Sequence, residues 1–155
     1  MSAEREPDTR RDARRCALQG LYERDAGGAD LRREGDEAEP AGGATLAGWL
    51  GPEGERLAAG GARAEGERLA ALAWEFREDA DRAVAALSTE WSTHRQPVVD
   101  RNVLRLAWYE MTHGGVPAPV AINEAVELAR EFGSERSAAF VNAILDGIHR
   151  GGRSA

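Results

Sequence analysis

Between Pro119 and Leu145, apolar residues recur at intervals of three and four, a spacing that only a helix gathers onto one face. Ile122, Ala125, Val126, Ala129 and Phe132 form the stripe predicted to be buried, while Glu124, Glu127, Arg130 and Glu131 take the other faces. Pro119 suits a first helical turn, where its missing N–H costs no intrahelical bond. Gly133 offers a left-handed C-terminal position. Ser134 is placed to N-cap a second helix that buries Phe140, Val141, Ile144, Leu145 and Ile148. The spacing therefore predicts a helix hairpin turning at Gly133-Ser134. It also carries polar residues that packing does not require. Capping explains Ser134, a bond to nearby backbone or across to a neighbouring loop is expected for Asn123, and an inter-helix bond for Asn142.

Elsewhere the chain reads as helix with one interruption. Thr9 or Asp8 caps a first helix predicted to reach about Asp25, with Ala13, Cys16, Ala17, Leu21 and Leu18 on its buried side. Residues 26–66 contain eleven glycines, each costing about 1 kcal/mol relative to alanine inside a helix. A solvated loop is expected there, with short helices near Leu46–Leu50 and Glu53–Ala59. From Glu67 to about Ser92 one long helix is predicted, stepping along Leu69, Leu72, Phe76, Asp79, Ala83, Ala86 and Leu87. Pro97 breaks the pattern. A further helix then carries Val99, Val103, Leu106, Ala107 and Met111 and ends at Gly114, Gly115 and Pro117. No useful strand alternation occurs, so the predicted class is all-α, with short connections that make neighbouring helices antiparallel.

Composition narrows the function classes. A chain of 155 residues is one typical domain. No apolar run reaches the roughly 20 residues of a membrane span, and the charged N-terminus has no hydrophobic signal core, so no membrane partner and a cytoplasmic location are expected. The single cysteine, Cys16, cannot make an internal disulfide, and its small neighbours mark it as a packed core thiol rather than a nucleophile. His94, His113 and His149 stand far apart, without metal-ligand spacing. Gly60-Gly61 lacks the Gly-Lys-Ser or Gly-Lys-Thr of a phosphate loop. With no acid, base and nucleophile set, the reading is of a non-enzyme without metal or cofactor.

The net charge of −7 argues against a nucleic-acid partner until its distribution is considered. Residues 26–95 hold 14 acids and 8 arginines, whereas residues 10–15 hold four arginines and one aspartate. Arg10, Arg11, Arg14 and Arg15 form a cationic stripe on the first helix, placed where the macrodipole disfavours positive charge. Each is a planar fork that can grip phosphate or stack on a base. A solvated basic face and a polyanion contact are both compatible with that stripe.

Three strings resemble the NusB family of bacterial transcription antitermination factors. They are Ala121-Ile122-Asn123-Glu124-Ala125-Val126-Glu127-Leu128-Ala129 with Phe132-Gly133 and Phe140-Val141-Asn142, then residues Asp100–Glu110, and the arginine-rich Arg10–Tyr22. The resemblance implies one NusB-like domain over 1–155, with an N-terminal helical subdomain (8–95, including the glycine-rich loop 26–66) and a C-terminal one (96–150) sharing a core. It implies binding of single-stranded boxA RNA by Arg10, Arg11, Arg14 and Arg15, with Tyr22 and Phe140 as stacking groups and Arg136 and Ser137 at a corner bordering the RNA. NusE, a small-subunit ribosomal protein, and the RNA polymerase elongation complex are the implied partners. On residues alone, Phe140 reads as core beside Val141 and Ile144, and Tyr22 reads equally as a half-buried side chain with its hydroxyl at the surface.

Departures from the pattern are Ala143, where a glycine is usual, Asp12 within the arginine run, and the glycine-rich middle. Asp12 dilutes the stripe and points to RNA binding that depends on a partner. Two rival readings follow: a protein-interaction module without RNA affinity, and the RNA-binding domain of an RNA cytosine methyltransferase. The latter expects a long extension carrying a catalytic cysteine, absent from the sequence up to Ala155. Monomer and homodimer are both compatible with the sequence.

Overall fold

The computed structural model describes residues 9–27, 61–88 and 95–153. Six helices make up the ordered elements among them: α1 (Thr9–Gly27), α2 (Ala62–Glu75), α3 (Arg77–Leu87), α4 (Val98–Thr112), α5 (Ala118–Phe132) and α6 (Ser137–Arg153). The class is all-α, as the periodicity predicted. The short helices expected at Leu46–Leu50 and Glu53–Ala59, and His94, lie outside the described residues. Internal contacts divide the chain into two compact units, Met1–Ala70 and Ala71–Ala155.

In the first unit, α1 buries all five expected apolar residues, with Ala17, Leu18 and Leu21 fully enclosed. It also buries Asp12, Gln19 and Asp25, which an amphipathic reading leaves outside. The reason is that Cys16–Gln19 are buried on every side of the helix, so α1 is enclosed over that turn, whereas beyond it Gly20, Tyr22 and Arg24 are half-buried and Glu23 is exposed. Gly66 explains why a glycine tolerated inside α2 is useful. A Cβ there would lie 2.7 Å from the Ala13 carbonyl oxygen and would overlap the Cys16 side chain, so only glycine allows this approach.

The single helix predicted over 67–92 is two helices, and it begins earlier, at Ala62. The break is at Phe76 (φ −94°, ψ 10°), whose N–H reaches the Leu72 carbonyl at a stretched 3.3 Å. Its ring instead packs on Tyr109 (centroids 5.9 Å) and His113 (4.1 Å). The break also shifts the buried stripe. Ala70, Ala73, Ala80 and Val84 are enclosed, while Asp79, Ala86 and Leu87 are exposed and Leu69, Leu72, Phe76 and Ala83 are half-buried.

In the second unit, α4 is the central element, packed by α3, α5 and α6. It buries Val103, Leu106 and Ala107 as expected, but also Leu104, Tyr109 and four polar residues, Asp100, Asn102, Arg105 and Glu110. Arg105, only 4% exposed, grips Asp81 of α3 with two parallel bonds, Nε to Oδ1 at 2.9 Å and Nη2 to Oδ2 at 2.8 Å. Its Nη1 donates to Asn102 Oδ1 at 3.1 Å, and Asn102 Nδ2 donates to the Val98 carbonyl at 2.9 Å. The guanidinium also lies over the Trp74 ring, 5.5 Å from its centroid.

This pair has an asymmetric failure mode, because the Arg105 side chain is 5% exposed and that of Asp81 is 25% exposed. Asp81→Ala strands a buried cation and is expected to lower unfolding free energy by about 3 kcal/mol. Arg105→Met leaves a carboxylate that water can reach and should cost less. Urea denaturation of both variants checks the order, and an equal or reversed order refutes it.

Candidate nucleic-acid interface

The residues implicated by sequence fall into one set in each unit. On α1, Arg10 is exposed and Arg11, Arg14 and Arg15 are half-buried, as is Tyr22. The four arginines remain accessible because they occupy the first turns, before the helix becomes enclosed at Cys16. Asp12 does more than dilute their charge. Its carboxylate is buried and takes Arg15 Nη1 at 2.9 Å, so it offsets the macrodipole penalty of the run and ties down Arg15, whose side chain is 18% exposed. Cys16 is buried, and that burial, followed by the nearby Asp12 carboxylate, pushes its thiol above the ordinary range, away from nucleophilic use. Among the described residues no group of three or more His, Cys, Asp or Glu could hold a metal.

The second set is built on the corner between α5 and α6, and its geometry corrects two expectations. Gly133 is extended (φ −96°, ψ −170°), and the positive-φ residue among those described is Gly115 at 69°. What requires glycine at 133 is proximity: a Cβ would stand 2.5 Å from Ser137 Oγ and 2.7 Å from the Ala129 carbonyl. Capping also runs in reverse, with the Ser134 N–H donating to Ser137 Oγ at 2.9 Å and the Ser137 N–H returning to the Ser134 carbonyl at 3.0 Å. Ser137 is 1% exposed. Arg136 is exposed beside it and Phe140 is half-buried one turn on.

Ser137 also hydrogen-bonds the Asp100 carboxyl, a residue that sequence reasoning passed over. Asp100 lies in the first turn of α4, 2% exposed, with Oδ1 lacking any hydrogen-bond partner among the described residues. Burial raises its pKa, and the Ser137 bond opposes that only in part. No spacing signal pointed to this contact, which joins residues 37 positions apart.

The hairpin stripe is rotated from the expected one. α5 encloses Ala121, Ala125, Leu128 and Ala129, leaving Ile122, Val126 and Phe132 half-buried. On α6, Val141, Ile144 and Leu145 are buried while Phe140 and Ile148 are half-buried. Three of the four enclosed α5 residues are alanines, with Leu128 the one large side chain among them.

The family model described as the NusB family matches residues 11–150. The chain belongs to the NusB family. The transcription antitermination protein NusB of Symbiobacterium thermophilum is 39% identical over 148 residues, covering 95% of this chain and 93% of that one. Its counterpart in Trichlorobacter lovleyi is 40% identical over 144 residues, covering 88% and 87%. Higher identity is more local: NusB of Solibacter usitatus is 51% identical over 76 residues, and there the chain spans about half the length of its relative, 52%. A solved structure of T. maritima NusB superposes with a TM-score of 0.65 at 31% identity, covering 91% of this chain and 90% of that one. None of the helices described is long and apolar enough to cross a membrane.

Two outcomes test the corner. Gly133→Ala should cost about 1–3 kcal/mol by overpacking against Ser137, and adding Ser137→Gly should recover part of it. Thermal melts of the single and double variants decide, and additive losses would refute the contact. Asp100 has a pKa raised in the folded state, so its contribution is fully present below the unfolded-state value and is lost as pH rises through the folded value. Asp100→Asn, permanently neutral, should therefore melt above the parent at pH 7, and the gap should close as pH falls below about 4. A gap that widens in acid would contradict the direction.

Proposed function

We propose that this NusB-family chain acts as a transcription antitermination factor that binds boxA-type single-stranded RNA together with NusE and joins the RNA polymerase elongation complex during ribosomal RNA transcription. The observation that carries the reading is the position of Arg10, Arg11 and Arg14 on the accessible first turns of α1, in a chain whose relatives carry the antitermination name. Guanidinium groups there neutralise phosphates, and their planes stack on unpaired bases.

Within this reading the roles differ by residue. Arg10, Arg11 and Arg14 make the phosphate contacts. Arg15, tied to Asp12, contributes with whatever part of its fork the salt bridge leaves available. Tyr22 and Phe140, both half-buried, offer ring edges or faces to bases, and exposed Arg136 supplies charge at the corner. Ser137 is assigned by its burial to holding that corner, and its contribution to RNA is through the position of Arg136 and Phe140. The protein works without a cofactor or catalytic step, in the cytoplasm where transcription occurs.

Titration of a labelled boxA RNA at several salt concentrations, with and without NusE, tests the proposal. Three phosphate contacts on single-stranded RNA give a slope of log K against log salt of about −2. Replacing Arg10, Arg11 and Arg14 together by glutamine should remove most of that slope while NusE association persists. NusE association without salt-sensitive RNA binding by the unmodified protein would favour an interaction module instead.

A further inference from the structure

The arginine stripe of α1 has a neighbour on α2 that helix spacing alone does not reveal. A Cβ on Gly66 would lie 2.7 Å from the Ala13 carbonyl oxygen and 3.1 Å from the Ala17 nitrogen, and one on Gly20 would lie 2.8 Å from the Ala70 Cβ. Gly66 is thus level with residues 13–17 and Ala70 with Gly20, so α1 and α2 run side by side in the same direction. One turn back from Gly66, Arg63 comes level with the first turns of α1, where the arginines stand. The surroundings of Cys16 agree with that placement, since Asp12, Arg63, Glu67 and Arg15 all act electrostatically on its thiol. Arg63 is the basic group that the packing of α2 on α1 adds to this end of the unit.

We propose that Arg63 is a further phosphate-binding residue of the α1 arginine site, and that Glu67 is the anion it exchanges for a phosphate of the RNA. The inference rests on the RNA reading and assigns it a residue on a second helix. Arg63 is held loosely. Its side chain is 58% exposed, and among the described residues it makes one bond, Nε to Oε1 of Glu67 at 3.1 Å, with the Glu67 side chain 65% exposed. An arginine four residues before its glutamate is the weaker orientation of such a pair, and a cation in a first turn opposes the macrodipole. Exposed pairs of this kind contribute little, so a phosphate displaces the carboxylate at small cost. Other arginines nearby are committed more firmly. Arg15 is tied at 2.9 Å to Asp12, which is buried, and Arg68 gives Glu65 two bonds, Nε at 3.0 Å and Nη2 at 2.6 Å. Nη1 and Nη2 of Arg63 remain to grip a phosphate as a fork. A single-stranded RNA suits this arrangement, because successive phosphates meet Arg63 and the α1 arginines together.

The test uses the full chain with NusE and the labelled boxA RNA, read as a Kd at several salt concentrations. Arg63→Gln is expected to weaken binding about fivefold at roughly 50 mM salt and to flatten the slope of log K against log salt by about 0.7, the share of one phosphate contact. Glu67→Gln should strengthen binding about twofold. That gain should vanish when Arg63→Gln is also present, which a general loss of negative charge would not produce. Thermal melts separate the two roles: a merely structural pair lowers the melt of both single variants and leaves RNA affinity unchanged. Unchanged affinity and slope in Arg63→Gln, while replacement of Arg10, Arg11 and Arg14 still abolishes binding, overturns this inference and leaves the RNA reading standing. A Glu67→Gln gain that persists without Arg63 overturns it too, as does an Arg68→Gln variant that loses as much as Arg63→Gln. RNA binding by the unmodified protein that ignores salt overturns both readings.

Discussion

The buried fork between Arg105 and Asp81 is the constraint on which the second unit is organised. A guanidinium 4% exposed is tolerable only if its charge and its donors are met, and here two donors go to a carboxylate and a third to Asn102. That requirement fixes how α3 and α4 are set against each other. It also fixes where Trp74 must lie, since its ring sits under the same guanidinium while Arg77 covers it at 4.3 Å. With α4 committed on that side, its remaining apolar residues are free to receive α5 and α6. The hairpin therefore packs on a helix whose orientation is set by polar bonds rather than by an oil-like fit.

A second constraint acts at the corner. Gly133, Ser134 and Ser137 close it with reciprocal hydrogen bonds, and Asp100 joins it from α4. The result is a hydrogen-bonded corner with Arg136 exposed and Phe140 half-buried at its margin. On α1, the burial of Asp12 has a parallel effect, since a buried carboxylate holds one arginine of a charged run. In both places an acid concealed in the fold sets what is displayed at the surface. The functional residues proposed here are thus accessible side chains positioned by inaccessible ones.

Much of the fold was legible because its signals are local. Helix period marked α1, α4, α5 and α6, Pro97 marked where α4 starts, and Gly114 and Gly133 marked where α4 and α5 stop. The break at Phe76 was not legible, because no glycine or proline marks it, and the rings Phe76 packs on there, Tyr109 and His113, are distant in sequence. The arginine stripe could be seen as charge spacing, whereas Ser137 could not be recognised as buried. A serine in a first turn carries the same sequence signature whether its hydroxyl meets water or Asp100.

The sequence by itself determined the helical class, the hairpin, the family and the arginine-rich start of α1, since each depends on spacing within a few turns. Only tertiary structure decided which side of each helix is enclosed. On α5 the periodicity permits several neighbouring stripes, and packing selected the one made of Ala121, Ala125, Leu128 and Ala129, leaving Ile122, Val126 and Asn123 to line an open groove. The physical reason is that hydrophobic burial sets how much surface a helix hides, while steric fit to its neighbours sets which surface that is.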